Sequence, residues 1–165
     1  MDHCSTFLSQ REPVNDTKIR RLQYKPHGGA TAKTPYLTRT FENAVAHATG
    51  IYGALKQTPE MKPDLIVAHA GFGSSLYLRE LYDVPIINHF EYYYHTHNSD
   101  LDFRPELPPS EEKLLRGRTR NAMILLDLDN CDVGYTPTRF QHDLLPAEYH
   151  NKVRTIFDGV DTRVF

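Results

Sequence analysis

Short apolar segments alternate with helical patterns along this chain, and this alternation restricts the fold more than any other feature. Residues 63–69 and 84–91 are continuous apolar runs, typical of parallel strands that are buried on both faces. Further strands are predicted at 5–9, 21–24, 133–136 and 152–157. Helical patterns cover 36–56, 76–82 and 110–127, with a brief helix after 137–140. The order predicts an α/β fold with an open, mostly parallel sheet and helices on both faces.

Size and composition exclude several classes of protein. The chain of 165 residues fits one domain, and 19 Lys and Arg against 21 Asp and Glu give a net charge of −2, which provides no general attraction to nucleic acid. No apolar run approaches the roughly 18 residues that cross a bilayer. Two cysteines are too few for a disulfide framework or a structural zinc site. We therefore expect a cytoplasmic domain without nucleic-acid partners or an integral membrane segment.

The first candidate site follows the first long apolar run. Ligands of open α/β sheets bind at the carboxyl ends of the strands, and His69 closes this run. Gly71 and Gly73 allow a tight turn, and Ser74 or Ser75 can cap a following helix whose N-terminus favours an anion or a sugar hydroxyl. An ordinary tight turn with a capping serine explains the same pattern. The third glycine of the dinucleotide-binding fingerprint is missing.

The second candidate site lies at the end of the next run. If that strand continues to Glu91, then His89 and Glu91 lie on the same side of it, where a carboxylate can act as a base or bind hydroxyls. The tyrosines that follow, Tyr93 among them, offer flat faces and phenol groups to a sugar. One alternative is a zinc or non-haem iron site that includes His95 and His97, although the spacing matches no known metal motif. The other is that these residues belong to the core and to a surface loop.

Two further groups of residues are candidates for ligand binding. Arg116 and Arg120 are one turn apart on the predicted helix 110–127 and could bind phosphate, although a charged helix face is usually just solvated. Arg139 follows the predicted strand 133–136 and could reach a ligand at the same sheet edge.

Several segments resemble, in the same order, motifs of the bacterial family 4 glycosyltransferases. DLIVAHAGFG at 64–73 is similar to the family's PDLIVGHPGWG, and TPTRFQ at 136–141 is similar to SPTRWQ. Further similarities are FEYYY at 90–94 to CEFYY, DFRPE at 102–106 to DVGFDPEF, RNA at 120–122 to RNA, and IFDGVDT at 156–162 to IHDGVDT. The chain departs from the family at five positions: Ala70, Phe72, His89, Phe90 and Phe140. These departures leave the acceptor open.

The resemblance implies the N-terminal, acceptor-side domain of a retaining glycosyltransferase of the GT-B type. Residues 1–165 would then be one Rossmann-like half of a two-domain protein, without its first strand. The other half binds the donor, a nucleotide sugar that is a substrate and not a cofactor, and such enzymes do not need a bound metal. His69, the turn formed by Gly71, Gly73, Ser74 and Ser75, and also Glu91, Tyr93 and Arg139 would line the cleft, with no catalytic residue assigned.

The expected function is transfer of a hexose from a nucleotide sugar to a saccharide or a lipid-linked acceptor. The second domain is the expected partner, the isolated chain is expected to be inactive, and apolar surface left exposed could form a homodimer. A lipid-linked acceptor would bring the protein to the inner face of the membrane. The alternatives are a non-catalytic module that binds a sugar or nucleotide and, third, a metal-dependent hydrolase.

Overall fold

The structure is a computed structural model that describes residues 4–12 and 19–164. Its strands are β1 (Thr6–Ser9), β2 (Arg20–Gln23), β3 (Ile66–His69), β4 (Ile86–His89), β5 (Val133–Thr136) and β6 (Val153–Thr155). Its α-helices are α1 (Arg39–Lys56), α2 (Glu111–Asn130) and α3 (Arg139–Leu144), and 3₁₀ turns form at Leu78–Glu80 and Ala147–Tyr149. Strands and helices alternate along most of the chain, as the sequence predicts.

All strand pairs of the described residues are parallel. β1 pairs with β2, and a separate sheet has the order β3-β4-β5-β6. In the four-stranded sheet Ile66 lies beside Ile86, and His69 lies beside His89. The α/β class with parallel strands, a Rossmann-like half of a GT-B fold, is therefore confirmed, with the strands divided between two sheets.

The core lies between one face of the four-stranded sheet and the helices. Ile86 and Phe90 pack with Ile124 and Leu128 of α2, and Ile66 contacts both this cluster and the one formed by Ile51 and Leu55 of α1. Because Ile66 and Ile86 are neighbours in register, α1 and α2 cover the same face of the sheet.

The opposite face of this sheet carries apolar side chains that the described residues leave open. Val67 is 61% exposed and Val133 is 38% exposed, and both are in register with Ile87 between them. Among the described residues, α1 and α2 therefore leave this part of the opposite face uncovered. Association of two copies through exposed apolar surface stays a prediction. No helix in the described part of the chain is long and apolar enough to cross a membrane.

Two local predictions were wrong. The helical pattern over 76–82 forms only the 3₁₀ turn at Leu78–Glu80, and no side chain of the described residues caps this turn; the hydroxyl of Ser75 instead faces Asn88 of β4 and Asp127 of α2. The strand predicted over 84–91 ends at His89, so Glu91 is no longer placed by strand alternation. The chain leaves the sheet there because Asn121 of α2 binds both the backbone N–H and the carbonyl of Tyr94.

Candidate functional site

A cleft opens at the carboxyl ends of β3 and β4, and α2 forms its other wall. Its volume is about 80 Å³, enough for one small polar group or a few water molecules. It is lined by Thr40, His69, Ala70, Gly71, Phe72, Glu91, Tyr92, Tyr94, Arg120 and Ile124. We call it the strand-end cleft. Its position agrees with the general rule for ligand sites of parallel sheets.

An imidazole and a carboxylate meet at the mouth of the strand-end cleft. His69 Nε2 lies 3.5 Å from Glu91 Oε2, and both side chains are accessible to solvent. The ring of Phe72 packs edge-on against His69, with ring centroids 5.1 Å apart. Glu91 is held through its backbone, because the side-chain amide of Gln141 donates to its carbonyl over 3.0 Å. His69 Nδ1 lies 3.1 Å from the carbonyl oxygen of Ala70, so the groups left for the hydroxyls of a ligand are His69 Nε2 and the carboxylate of Glu91.

His89 lies behind this pair and is not directed into the strand-end cleft. Its ring is 4.9 Å from that of His69 and stacks on Tyr135 at 4.8 Å. Burial lowers the pKa of His89, and the nearby His69 lowers it further. The lowered pKa favours the neutral imidazole of His89. Its Nε2 is buried and has no hydrogen-bond partner among the described residues.

The turn at residues 71–75 is fixed by a buried carboxylate of α2. The backbone N–H of Gly71 donates to Asp127 Oδ2 over 2.7 Å, and the hydroxyl of Ser75 lies 3.5 Å from Asp127 Oδ1. Asp127 is fully buried, and its burial raises the pKa to about 6. Gly73 has a φ of +72°, and a Cβ there would lie 2.2 Å from the carbonyl oxygen of Ala44 in α1. Only glycine fits this turn without displacement of the helix.

The segment 91–95 is fixed by a buried amide of the same helix. Asn121 is 1% exposed, and its side chain accepts from Tyr94 N over 2.9 Å and donates to Tyr94 O over 2.7 Å. This places Tyr92 and Tyr94 at the strand-end cleft. Arg120 lies over the ring of Tyr94, 3.7 Å from its centroid, and donates to its hydroxyl.

The structure brings together only part of the site predicted from sequence. His69, Gly71 and Glu91 line the strand-end cleft. Tyr93 is 4% exposed and packs in the core, and Arg139 lies on the surface beside Asp143. Three residues of the turn lie behind the lining: Gly73, Ser74 and Ser75.

Sequence reasoning missed the residues that shape the strand-end cleft. Asp127 and Asn121 are polar residues on the buried side of α2, and such an interruption of an apolar helix face was the signal that could have revealed them. The contributions of Thr40 and Tyr94 depend on packing between distant segments, which leaves no local pattern.

The histidines after β4 do not converge. His95 Nε2 lies 2.7 Å from the carbonyl oxygen of Leu144, and His97 lies beside Asp102. Within the described residues no three His, Cys, Asp or Glu side chains are placed to hold a metal ion. The geometry gives no support to the metal-dependent hydrolase.

Comparison with known families agrees with this fold. The profile of the glycosyl transferase family 4 group matches residues 1–165. A search of curated proteins finds no match. Since the family match extends over the full sequence, this chain belongs to the glycosyl transferase family 4 group.

Proposed function

We propose that this chain forms the acceptor side of a retaining glycosyltransferase that moves a hexose from a nucleotide sugar to a saccharide or a lipid-linked acceptor. The membership of the family supports transfer of a sugar in general. The observation that carries the assignment of the acceptor is the pair formed by His69 and Glu91, 3.5 Å apart at the carboxyl end of the sheet.

The residues around this pair suit a sugar. The exposed ring of Phe72 offers an apolar face to a pyranose, and Tyr92 also lines the strand-end cleft. The carboxylate of Glu91 can accept hydrogen bonds from two neighbouring hydroxyls, and His69 can donate or accept one more. Hydroxyl recognition of this kind orients the attacking oxygen, which is the main contribution that an acceptor domain makes to the rate.

The remaining part of the reaction requires groups that stabilise a departing nucleoside diphosphate. We assign these to a second, donor-binding domain, as in other GT-B enzymes, and expect no transfer by the 165-residue chain alone. A lipid-linked acceptor would bring the protein to the inner face of the membrane.

The test of the acceptor site is a binding experiment on the 165-residue chain. Saturation-transfer NMR with a panel of hexose disaccharides should detect contact between at least one disaccharide and the protein. Glu91→Gln and His69→Ala should weaken that binding about tenfold, the loss expected from one or two hydrogen bonds that involve a charged group. Arg118→Gln is the matched control, because Arg118 is exposed on α2 and does not line the strand-end cleft.

The outcomes separate the alternatives. Disaccharide binding that is unaffected by Glu91→Gln, or no binding at all, would overturn the assignment of the acceptor. Measurable hexose transfer by the chain alone, from UDP-glucose or GDP-mannose, would overturn the need for a donor domain. Sugar binding by a two-domain form that never transfers a hexose would favour the non-catalytic module.

A further inference from the structure

A second cavity lies on α2 beside the strand-end cleft. It has a volume of about 150 Å³ and is lined by Tyr36, Leu101, Lys113, Arg116, Gly117 and Arg120. We call it the α2 recess. Arg120 lines both cavities, so a ligand bound in the strand-end cleft lies next to the recess.

Three positive side chains face the α2 recess, and no carboxylate among the described residues forms an ion pair with any of them. Lys113, Arg116 and Arg120 are absent from the ion pairs of the described chain. Arg79, by contrast, binds Asp132 over 2.7 Å. Uncompensated positive charge in one cavity creates a positive potential that attracts an anion.

The two arginines are held in place by neutral groups. Arg116 donates to the hydroxyls of Tyr36 over 2.9 Å and Thr40 over 3.2 Å, and its guanidinium lies 4.4 Å from the centre of the Tyr36 ring. Its Nε is buried and has no acceptor in the described structure. Tyr94 holds Arg120 in the same way, through its ring and its hydroxyl. These contacts orient the guanidinium groups without pairing either of them with a carboxylate, which is unlike a solvated helix face.

We propose that the α2 recess binds a phosphate group of the acceptor. Arginine presents parallel N–H groups that match the oxygens of phosphate, and three cations suit a group with up to two negative charges better than a single carboxylate. The acceptor is then a sugar that carries a phosphate, with its hydroxyls at His69 and Glu91 and its phosphate at Arg120. This assignment of the acceptor rests on the proposed function, whereas the anion site rests on the α2 recess alone.

Calorimetric titration of the 165-residue chain with inorganic phosphate and pyrophosphate tests the site. Lys113→Gln and Arg120→Gln should weaken pyrophosphate binding about tenfold each, because each removes a charged contact. Arg118→Gln removes the same charge from the same helix outside the recess, and it should change the affinity by less than about twofold. Circular dichroism of each variant checks that the fold is retained.

Two further probes identify the source of the phosphate. Hexose 1-phosphate in solution represents a soluble acceptor, and phosphatidylcholine vesicles that contain polyprenyl phosphate represent a lipid-linked one. Binding of either probe that is lost in Lys113→Gln supports the proposal. Binding of neither probe, no binding of pyrophosphate at millimolar concentration, or equal losses in Arg118→Gln and Lys113→Gln would overturn it. None of these titrations contains a donor sugar, so a failed transfer assay and a failed phosphate site are distinguishable.

Discussion

The turn at 71–75 and the segment 91–95 both follow parallel strands and border the same cleft, but α2 holds them by different chemistry. A buried carboxylate, Asp127, binds the turn through Gly71 N and Ser75. A buried amide, Asn121, binds the segment through both backbone groups of Tyr94. One wall of the strand-end cleft therefore depends on a charge, and the other does not.

The difference has a physical consequence. An amide has a donor and an acceptor, so Asn121 satisfies both backbone groups of Tyr94 without burial of a charge. A carboxylate only accepts, and its ionised form must be removed from water, which raises the pKa of Asp127 to about 6. We expect the anchor between Asn121 and Tyr94 to be insensitive to pH, and the anchor between Asp127 and the turn at 71–75 to depend on it.

The largest effect should come from Asn121→Ala. It leaves the N–H and the carbonyl of Tyr94 without their hydrogen-bond partners. A buried polar group without a partner costs about 1–3 kcal/mol, so the free energy of unfolding should fall by about 4 kcal/mol. Urea denaturation at pH 7 measures it. Arg118→Ala, three residues away on the exposed side of α2, should change stability by less than about 0.5 kcal/mol. Similar losses in the two variants would show that Asn121 does not anchor the segment.

A smaller effect, with a distinctive dependence on pH, should come from Asp127→Asn. The folded pKa is about 6 against an ordinary value of 3.8, so between these values the folded protein binds more protons than the unfolded chain. Stability therefore decreases as pH rises through this interval, and the cost is fully present above pH about 6. The asparagine variant lacks this cost.

The measurement is the difference in unfolding free energy between Asp127→Asn and wild type at several pH values. It should shift in favour of the variant by about 3 kcal/mol between pH 3.5 and pH 7.5. The contributions of other titrating groups largely cancel in this difference. The exception is His69, which lies near enough to lower the pKa of Asp127. His69→Gln combined with Asp127→Asn controls for that contribution. A difference that is constant with pH would mean that Asp127 is not buried as an acid.

The same comparison explains what could be predicted from the sequence. The runs that became β3 and β4, and the helix that became α2, were predictable because burial of a strand or a helix face imposes a local period on the residues. His69 and Gly71 were predictable because the residue that closes a parallel strand has a known place in the fold.

The rest of the cleft depends on contacts between residues far apart in the sequence. The strand predicted to reach Glu91 ends earlier because Asn121, 27 residues beyond Tyr94, competes for the backbone. Tyr93 was predicted at the cleft. The hydrogen bonds between Asn121 and Tyr94 instead leave Tyr92 and Tyr94 at the cleft and Tyr93 in the core. Local periodicity contains no information on such long-range competition.

The smallest effect on stability, and the sharpest test of which wall binds ligand, should come from Glu91→Gln. The side chain of Glu91 is exposed and only the backbone of this residue is anchored, through Gln141. An exposed ion pair with His69 contributes less than about 1 kcal/mol, so the unfolding free energy should change by no more than about 0.5 kcal/mol. If disaccharide binding then falls while stability is unchanged, the carboxylate acts on the ligand and not on the fold. A stability loss as large as that of Asn121→Ala would instead make Glu91 a structural residue. Its carboxylate would then serve the fold, like Asp127 and Asn121, and would not be free to bind a sugar.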